Sequence, residues 1–206
     1  MGFKTEQEEF WAGNFGNEYI GRNISEEYLA SNLNFFSKAF NQIGRPDSLI
    51  EFGANVGMNL KAIKLLFPNI KLSGIEINKN AADELAKMLG NGNVFNGSIY
   101  DFDTTLKYDV SLIKGVLIHI NPDMLPVVYE KLYTTSTKYI LICEYYNPSP
   151  VTIKYRGHEN RLFKRDFAGE ILEKYKDLTL VDYGFCYKRD KAFPQDDITW
   201  FLLQKQ

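Results

Sequence analysis

A chain of 206 residues, 45% apolar and 24% charged, makes one ordinary globular domain and is too short for two comfortable cores. A net charge of −2 supplies no general basic field, which argues against nucleic acid as a partner, and no apolar run reaches membrane-spanning length. The N-terminus is acidic and polar without a leader pattern, and Cys143 and Cys186 read as buried, reduced thiols in strands with no metal-ligand spacing, so the chain reads as cytoplasmic.

Taken in chain order, residues 1–24 set Phe10, Trp11, Phe15 and Tyr19 among glycines and asparagines, which suits a lid over a ligand or a strap packed on the domain. Ser25-Glu26-Glu27 opens a helix to about Gln42, completing an N-terminal segment 1–47 ahead of a main domain 48–206. Ser48–Phe52 is the first strand, and a helix after Gly57 buries Leu60, Ile63 and Phe67. Lys71–Ile77 is a strand, Asn78 caps a helix to Leu89, and Asn93–Phe95 is a short strand. Tyr108–Ile113 is a strand leaving through Lys114–Ile120, a helix runs from Pro122 to Thr135, and Lys138–Glu144 is the next strand. Residues 145–165 read as irregular and charged, followed by a helix over 166–175. Leu178–Tyr187 and Ile198–Gln204 form a closing strand pair with no helix between them. Alternating strands and helices predict a mostly parallel sheet with helices on both faces, and the final pair predicts an antiparallel edge.

The first unit carries the most information. Strand, glycine loop, helix, strand and terminal carboxylate run from Leu49 to Glu76, and Glu76 follows Gly53 by 23 positions. A carboxylate about 20 residues on is placed to receive ribose hydroxyls. A dinucleotide loop needs glycine at the third and sixth positions so that backbone can approach a pyrophosphate. Here those positions hold Asn55 and Met58. S-adenosylmethionine has no phosphate, so one close glycine, Gly53, and an acid for its ammonium, Glu51, suffice.

The pattern from Ser48 onward, closed by its reversed strand pair, resembles a class I S-adenosylmethionine-dependent methyltransferase, with a seven-stranded Rossmann-like sheet. Ligands of such sheets lie at the carboxyl ends of the strands, which collects Glu51 to Gly57 (with Asn55), Glu76, Ile77, Ser98, Ile99 and Lys114 as candidate cofactor residues. The resemblance implies that Glu51 and Gly53 meet the methionine tail, Glu76 the ribose, and Ser98 and Ile99 the adenine. Ile77 is either the other adenine wall or core packing. His119, after the fourth strand, is suited to proton transfer or substrate contact, or else caps the next helix. Glu144 and Tyr145, after the fifth, are the other catalytic candidates. Asn147-Pro148-Ser149-Pro150 follows the wrong strand for an amino-methylation signature and reads as a turn.

Five fixed cations, Lys154, Arg156, Arg161, Lys164 and Arg165, face one acid, Glu159, over residues 154–165. With Tyr146, Tyr155 and His158 they point to an anionic small molecule, the rings beside the arginines weighing against the alternative of a solvated loop. Three blocks sharpen this: Glu9-Phe-Trp-Ala-Gly-Asn-Phe-Gly16 with Tyr19 and Arg22-Asn23; Lys114-Gly-Val-Leu-Ile-His-Ile-Asn-Pro122; and Cys143-Glu-Tyr-Tyr-Asn-Pro-Ser-Pro150 running to Tyr155-Arg-Gly-His-Glu159 and Phe163-Lys-Arg-Asp-Phe167. Together they resemble the methylases associated with pseudaminic acid biosynthesis. That resemblance implies methylation of an acidic nine-carbon sugar or its nucleotide form, with an amidino nitrogen as one acceptor. Trp11, Phe15, Tyr19, Tyr146, Tyr155, Arg156, His158 and Arg161 are then the candidate substrate residues. Another small anionic metabolite, or a cofactor-binding scaffold without activity, are the competing readings.

Overall fold

The computed structural model describes residues 2–22 and 24–206; Asn23 and the side chain of Arg22, quoted in the resemblance, lie outside the described residues. Three helices precede the first strand: α1 (Glu6–Ala12), α2 (Asn14–Tyr19) and α3 (Glu26–Ala39). Then follow β1 (Ser48–Phe52), α4 (Met58–Leu66), β2 (Lys71–Glu76), α5 (Lys79–Leu89), β3 (Val94–Asn96) and β4 (Tyr108–Lys114). After α6 (Leu125–Thr135) and β5 (Ser136–Glu144) come β6 (Val151–Tyr155), β7 (His158–Lys164), α7 (Phe167–Lys174), β8 (Leu178–Phe185) and β9 (Thr199–Lys205).

Seven strands form one sheet in the order β3-β2-β1-β4-β5-β9-β8. The first five run parallel, and β9 enters antiparallel to both β5 and β8. The predicted mixed α/β sheet and its reversed ending are therefore both present. Neighbouring residues on a strand point to opposite faces, and both faces are apolar. Leu49, Leu141, Cys143 and Leu202 pack with α3, α4 and α5, while Ile50, Ile140, Ile142 and Leu203 pack with α6 and α7.

Within the N-terminal segment, Phe35, Phe36, Ala39 and Phe40 of α3 are buried in the first of these cores. Segment 145–165 is not irregular, because β6 and β7 pair as a hairpin. Its two turn residues, Arg156 and Gly157, take φ of 50° and 91°, the double left-handed turn that matches strand twist. Most of β6 is exposed, which removes the in–out alternation that marks a strand in sequence. Of the cysteines, Cys143 is buried, whereas Cys186 falls just past β8 and is only partly covered. No helix among the described residues is long and apolar enough to cross a membrane.

Phe36 is fully buried, meets Phe35 edge to face at 4.8 Å and stacks on Phe40 at 5.8 Å. Phe36→Ala is expected to lower unfolding free energy by about 3–5 kcal/mol, measured by denaturant titration.

Candidate functional site

The strand ends of β1 and β2 are tied together by one side chain. Glu76 accepts the N–H of Asn55 and the N–H of Asn78, both at 2.7 Å. Burial pushes its pKa up, opposed by the bonds from Asn78, Asn55 and Ile77. Asn55 stands at φ 48°, a left-handed conformation that asparagine tolerates better than most residues. Gly53, at φ 77°, has no such latitude: a Cβ there would lie 2.6 Å from a Val116 methyl. Gly57 is also left-handed, but a Cβ on it would strike Leu85 at 2.5 Å, so its role is close packing of α4 against α5.

Glu51 does not reach the cavity wall. It is fully buried, accepts the Asn59 amide at 2.6 Å through Oε1, and leaves Oε2 unpartnered. Burial raises its pKa to about 8, against the Asn59 bond and the charge of Lys114. Burial opposes the Lys114 charge too, but Tyr28, Cys143 and Glu51 outweigh it and hold its pKa above the ordinary lysine value. The Lys114 ammonium donates to the Tyr28 hydroxyl at 3.2 Å.

A single cavity opens over these loops. Of the expected cofactor residues, Gly53, Asn55, Glu76, Ile77, Ser98, Ile99 and Lys114 line it, while Glu51 and Gly57 stand behind it. His119 lines it as well. Its Nδ1 lies 2.6 Å from the Arg161 carbonyl oxygen, an acceptor, so the proton sits on Nδ1 and Nε2 keeps its lone pair. Burial lowers its pKa to about 4, opposed by that bond, and the ring is neutral at neutral pH.

The other two catalytic candidates are placed differently. Glu144 turns both oxygens onto the Val116, Leu117 and Ile118 N–H groups, at 2.9, 2.8 and 3.4 Å, and does not line the cavity. It shapes the short 3₁₀ turn that carries His119; burial, against those bonds, raises its pKa to about 7. Tyr145 also lies off the cavity, under Lys164, and burial together with Asp196 raises its pKa.

Helices α1 and α2 form a roof, and Trp11 and Tyr19 line the cavity from above. The remaining aromatic candidates hold this roof to the hairpin. Phe15 packs near Tyr155 and His158 at 6.0 and 5.9 Å, and Phe10 packs on His158 at 5.0 Å. Arg161 pairs with Glu6 at 2.8 Å, and the Gln7 amide donates to the Asn160 carbonyl at 3.0 Å. Phe15, Tyr155, His158 and Arg161 are therefore clasp residues, not cavity walls. Arg156 is at the hairpin turn, and Tyr146 packs on Phe201. The expected anion cradle is largely neutralised, because Lys154 pairs with Glu159, Arg161 with Glu6 and Arg165 with Glu170.

Several wall residues escaped the sequence reading, notably Asn59, Asn78, Tyr28 and Asp196. Asn78 was legible as a helix cap, which it is, but its amide also grips the roof through the Asn17 side chain at 2.9 Å. Asp196 sits in a charged loop that carries no local signal.

No family model and no curated protein matches the sequence. Solved structures do match in shape. A Burkholderia thailandensis 1,6-didemethyltoxoflavin N1-methyltransferase, holding its substrate and S-adenosylhomocysteine, aligns at TM-score 0.70 and 15% identity over 97% of this chain and 87% of its own. The magnesium protoporphyrin IX methyltransferase of Synechocystis PCC 6803, with S-adenosylmethionine bound, aligns at 0.64 and 11% over the whole of both chains. A mitomycin 7-O-methyltransferase aligns at 0.67 and 15% over 98% of this chain, which spans 61% of that protein's length. The fold is that of the class I methyltransferases. Within this methyltransferase fold, the cavity lies where the parallel strands end, the position at which such sheets bind ligands.

His119 is a distinctive titrating group. Between its ordinary pKa of 6.5 and its folded value of about 4, the unfolded chain binds a proton that the folded chain refuses. Its contribution to stability is thus full above pH 6.5 and is lost as pH falls toward 4. Wild type should lose stability relative to His119→Gln across that window, read from paired denaturation curves; parallel curves would contradict the assignment.

Proposed function

We propose that the chain is an S-adenosylmethionine-dependent methyltransferase whose acceptor is a small molecule entering beside His119. The single observation that carries this reading is the Glu76 anchor between two loops of a methyltransferase fold, beside a Gly53 position where any Cβ would collide. A carboxylate has about four lone-pair sites, so Glu76 keeps acceptor capacity for ribose hydroxyls beyond the Asn55, Asn78 and Ile77 N–H groups. Ile77 and Ile99 supply apolar walls for the adenine. The first-turn N–H groups of α4, whose cap Gly57 has no side chain, suit the carboxylate of the amino-acid tail. Asn55 Oδ1, a buried acceptor on the cavity wall without a partner among the described residues, fits a ligand rich in donors.

The bound cofactor would supply an electrophilic methyl group on a sulfonium. The chain's part is to align the acceptor and exclude water. The roof provides exclusion. His119, neutral with Nε2 unprotonated, orients the acceptor's hydrogen, since a pKa of about 4 makes it a hydrogen-bond acceptor more than a resting place for a proton.

For the acceptor itself, an acidic nine-carbon sugar of the pseudaminic or legionaminic type, methylated on an amidino nitrogen, is supported by the three sequence blocks. Arg156 and Lys164 make no ion pair among the described residues, and they suit the sugar carboxylate at the cavity mouth.

Calorimetry should show S-adenosylmethionine and S-adenosylhomocysteine binding and no nicotinamide dinucleotide binding. Gly53→Val should abolish that binding. Glu76→Ala should weaken it about 10- to 150-fold, the equivalent of one charge-assisted hydrogen bond. Mass spectrometry after incubation with amidino and acetyl nonulosonic acids tests the acceptor, with a gain of one methyl expected for the amidino sugar alone.

A further inference from the structure

The charges that face the cavity contradict a wholly anionic acceptor. Among the described side chains lining it, Lys114 is the one fixed cation, against Glu8, Glu76 and Asp196. The cation is already engaged by Tyr28, and Glu8 is engaged by the Lys4 and Thr5 N–H groups at 2.7 and 3.0 Å. Glu76 belongs to the two loops. Asp196 is different: it lines the wall away from those loops, with the Tyr145 hydroxyl bonded to it and the Arg156 charge acting on it from outside the wall. It shares that wall with His119, on whose ring Tyr155 packs at 4.9 Å, so a carboxylate and the imidazole lone pair both serve one cavity. The cations expected to receive an anion lie outside the wall, most of them paired.

We propose that the acceptor half of the cavity takes the nitrogen-bearing end of its substrate, a neutral or cationic amine or amidine whose N–H groups donate to the Asp196 carboxylate and to His119 Nε2. This rests on the methyltransferase reading and deepens it by assigning Asp196 as a specificity residue. In the neutral form, two acceptors holding the N–H groups leave the nitrogen lone pair as the one direction not occupied, which is the alignment a displacement needs. A cationic acceptor first gives one proton to solvent, and the new N–C bond would form as the methyl–sulfur bond of the cofactor breaks. A carboxylate entering the same space would face Asp196 and a lone pair, and like-charge juxtaposition is strongly disfavoured. If the substrate carries both groups, the nitrogen goes in and the carboxylate stays at the mouth.

The test uses the full chain saturated with S-adenosylhomocysteine, with saturation confirmed by calorimetry, and three probes of one size: benzamidine, benzylamine and benzoate. Ligand-observed NMR titration should show benzamidine or benzylamine binding at least about 10-fold tighter than benzoate, and Asp196→Asn should erase that preference while changing S-adenosylhomocysteine affinity less than about twofold. Asp196 is exposed, so the variant should keep its fold, checked by thermal melting. Benzoate binding as well as the amines, no probe binding at all, or a preference unaltered in Asp196→Asn would each overturn the proposal. Failure of S-adenosylhomocysteine itself to bind would instead overturn the methyltransferase reading beneath it.

Discussion

One buried carboxylate sets the geometry on which the site depends. Glu76 ends β2, yet two N–H groups at 2.7 Å reach it from other segments, the turn after β1 and the cap of α5. Two loops that would otherwise move separately are thereby held at a fixed spacing, and the cavity between them inherits that width. Asn55 must adopt a left-handed backbone to aim its N–H at the carboxylate. Burial raises the pKa of Glu76, and the N–H donors around it work the other way. The cost of placing a charge there is therefore offset by the bonds that fix the loops.

A second constraint comes from above. The roof and the hairpin are joined by edge-to-face ring contacts, by Arg161 with Glu6, and by Gln7 with the Asn160 carbonyl. The hairpin also reaches inward, because the Arg161 carbonyl chooses which nitrogen of His119 carries the proton. A segment that looks like charged surface thus decides the chemistry of a residue 42 positions earlier in the chain. Burial by the same lid and hairpin makes that imidazole a neutral acceptor.

What could be read from sequence divides along the range of the interactions. The cofactor loop was legible because Gly53, Asn55 and Glu76 act through local backbone geometry and a fixed strand–helix–strand spacing. The reversed final strands were legible because no helix separates them. Long-range choices were not. Whether Phe15 and Tyr155 line a cavity or pack on one another depends on contacts between segments well over a hundred residues apart. Glu144 and His119 both follow parallel strands, and only the folded chain shows the acid turned onto three N–H groups and the imidazole left facing the cavity. Asp196 and Tyr28 carry no pattern at all; their place on the wall is a product of tertiary packing.

The position of β9 has an implication for how the molecule is made. This strand lies between β5 and β8, and its Leu202 and Leu203 enter opposite cores. Because a ribosome delivers β8 before β9, the earlier strand has no neighbour to join until the later one emerges. A nascent chain that has just completed α7 already holds every described cavity-lining residue except Asp196 and Ile198. It nonetheless leaves the long edge of β5, with Ile142 and Cys143, unpaired. During synthesis that bare edge is the one most open to wrong partners, and the strand that seals it arrives last.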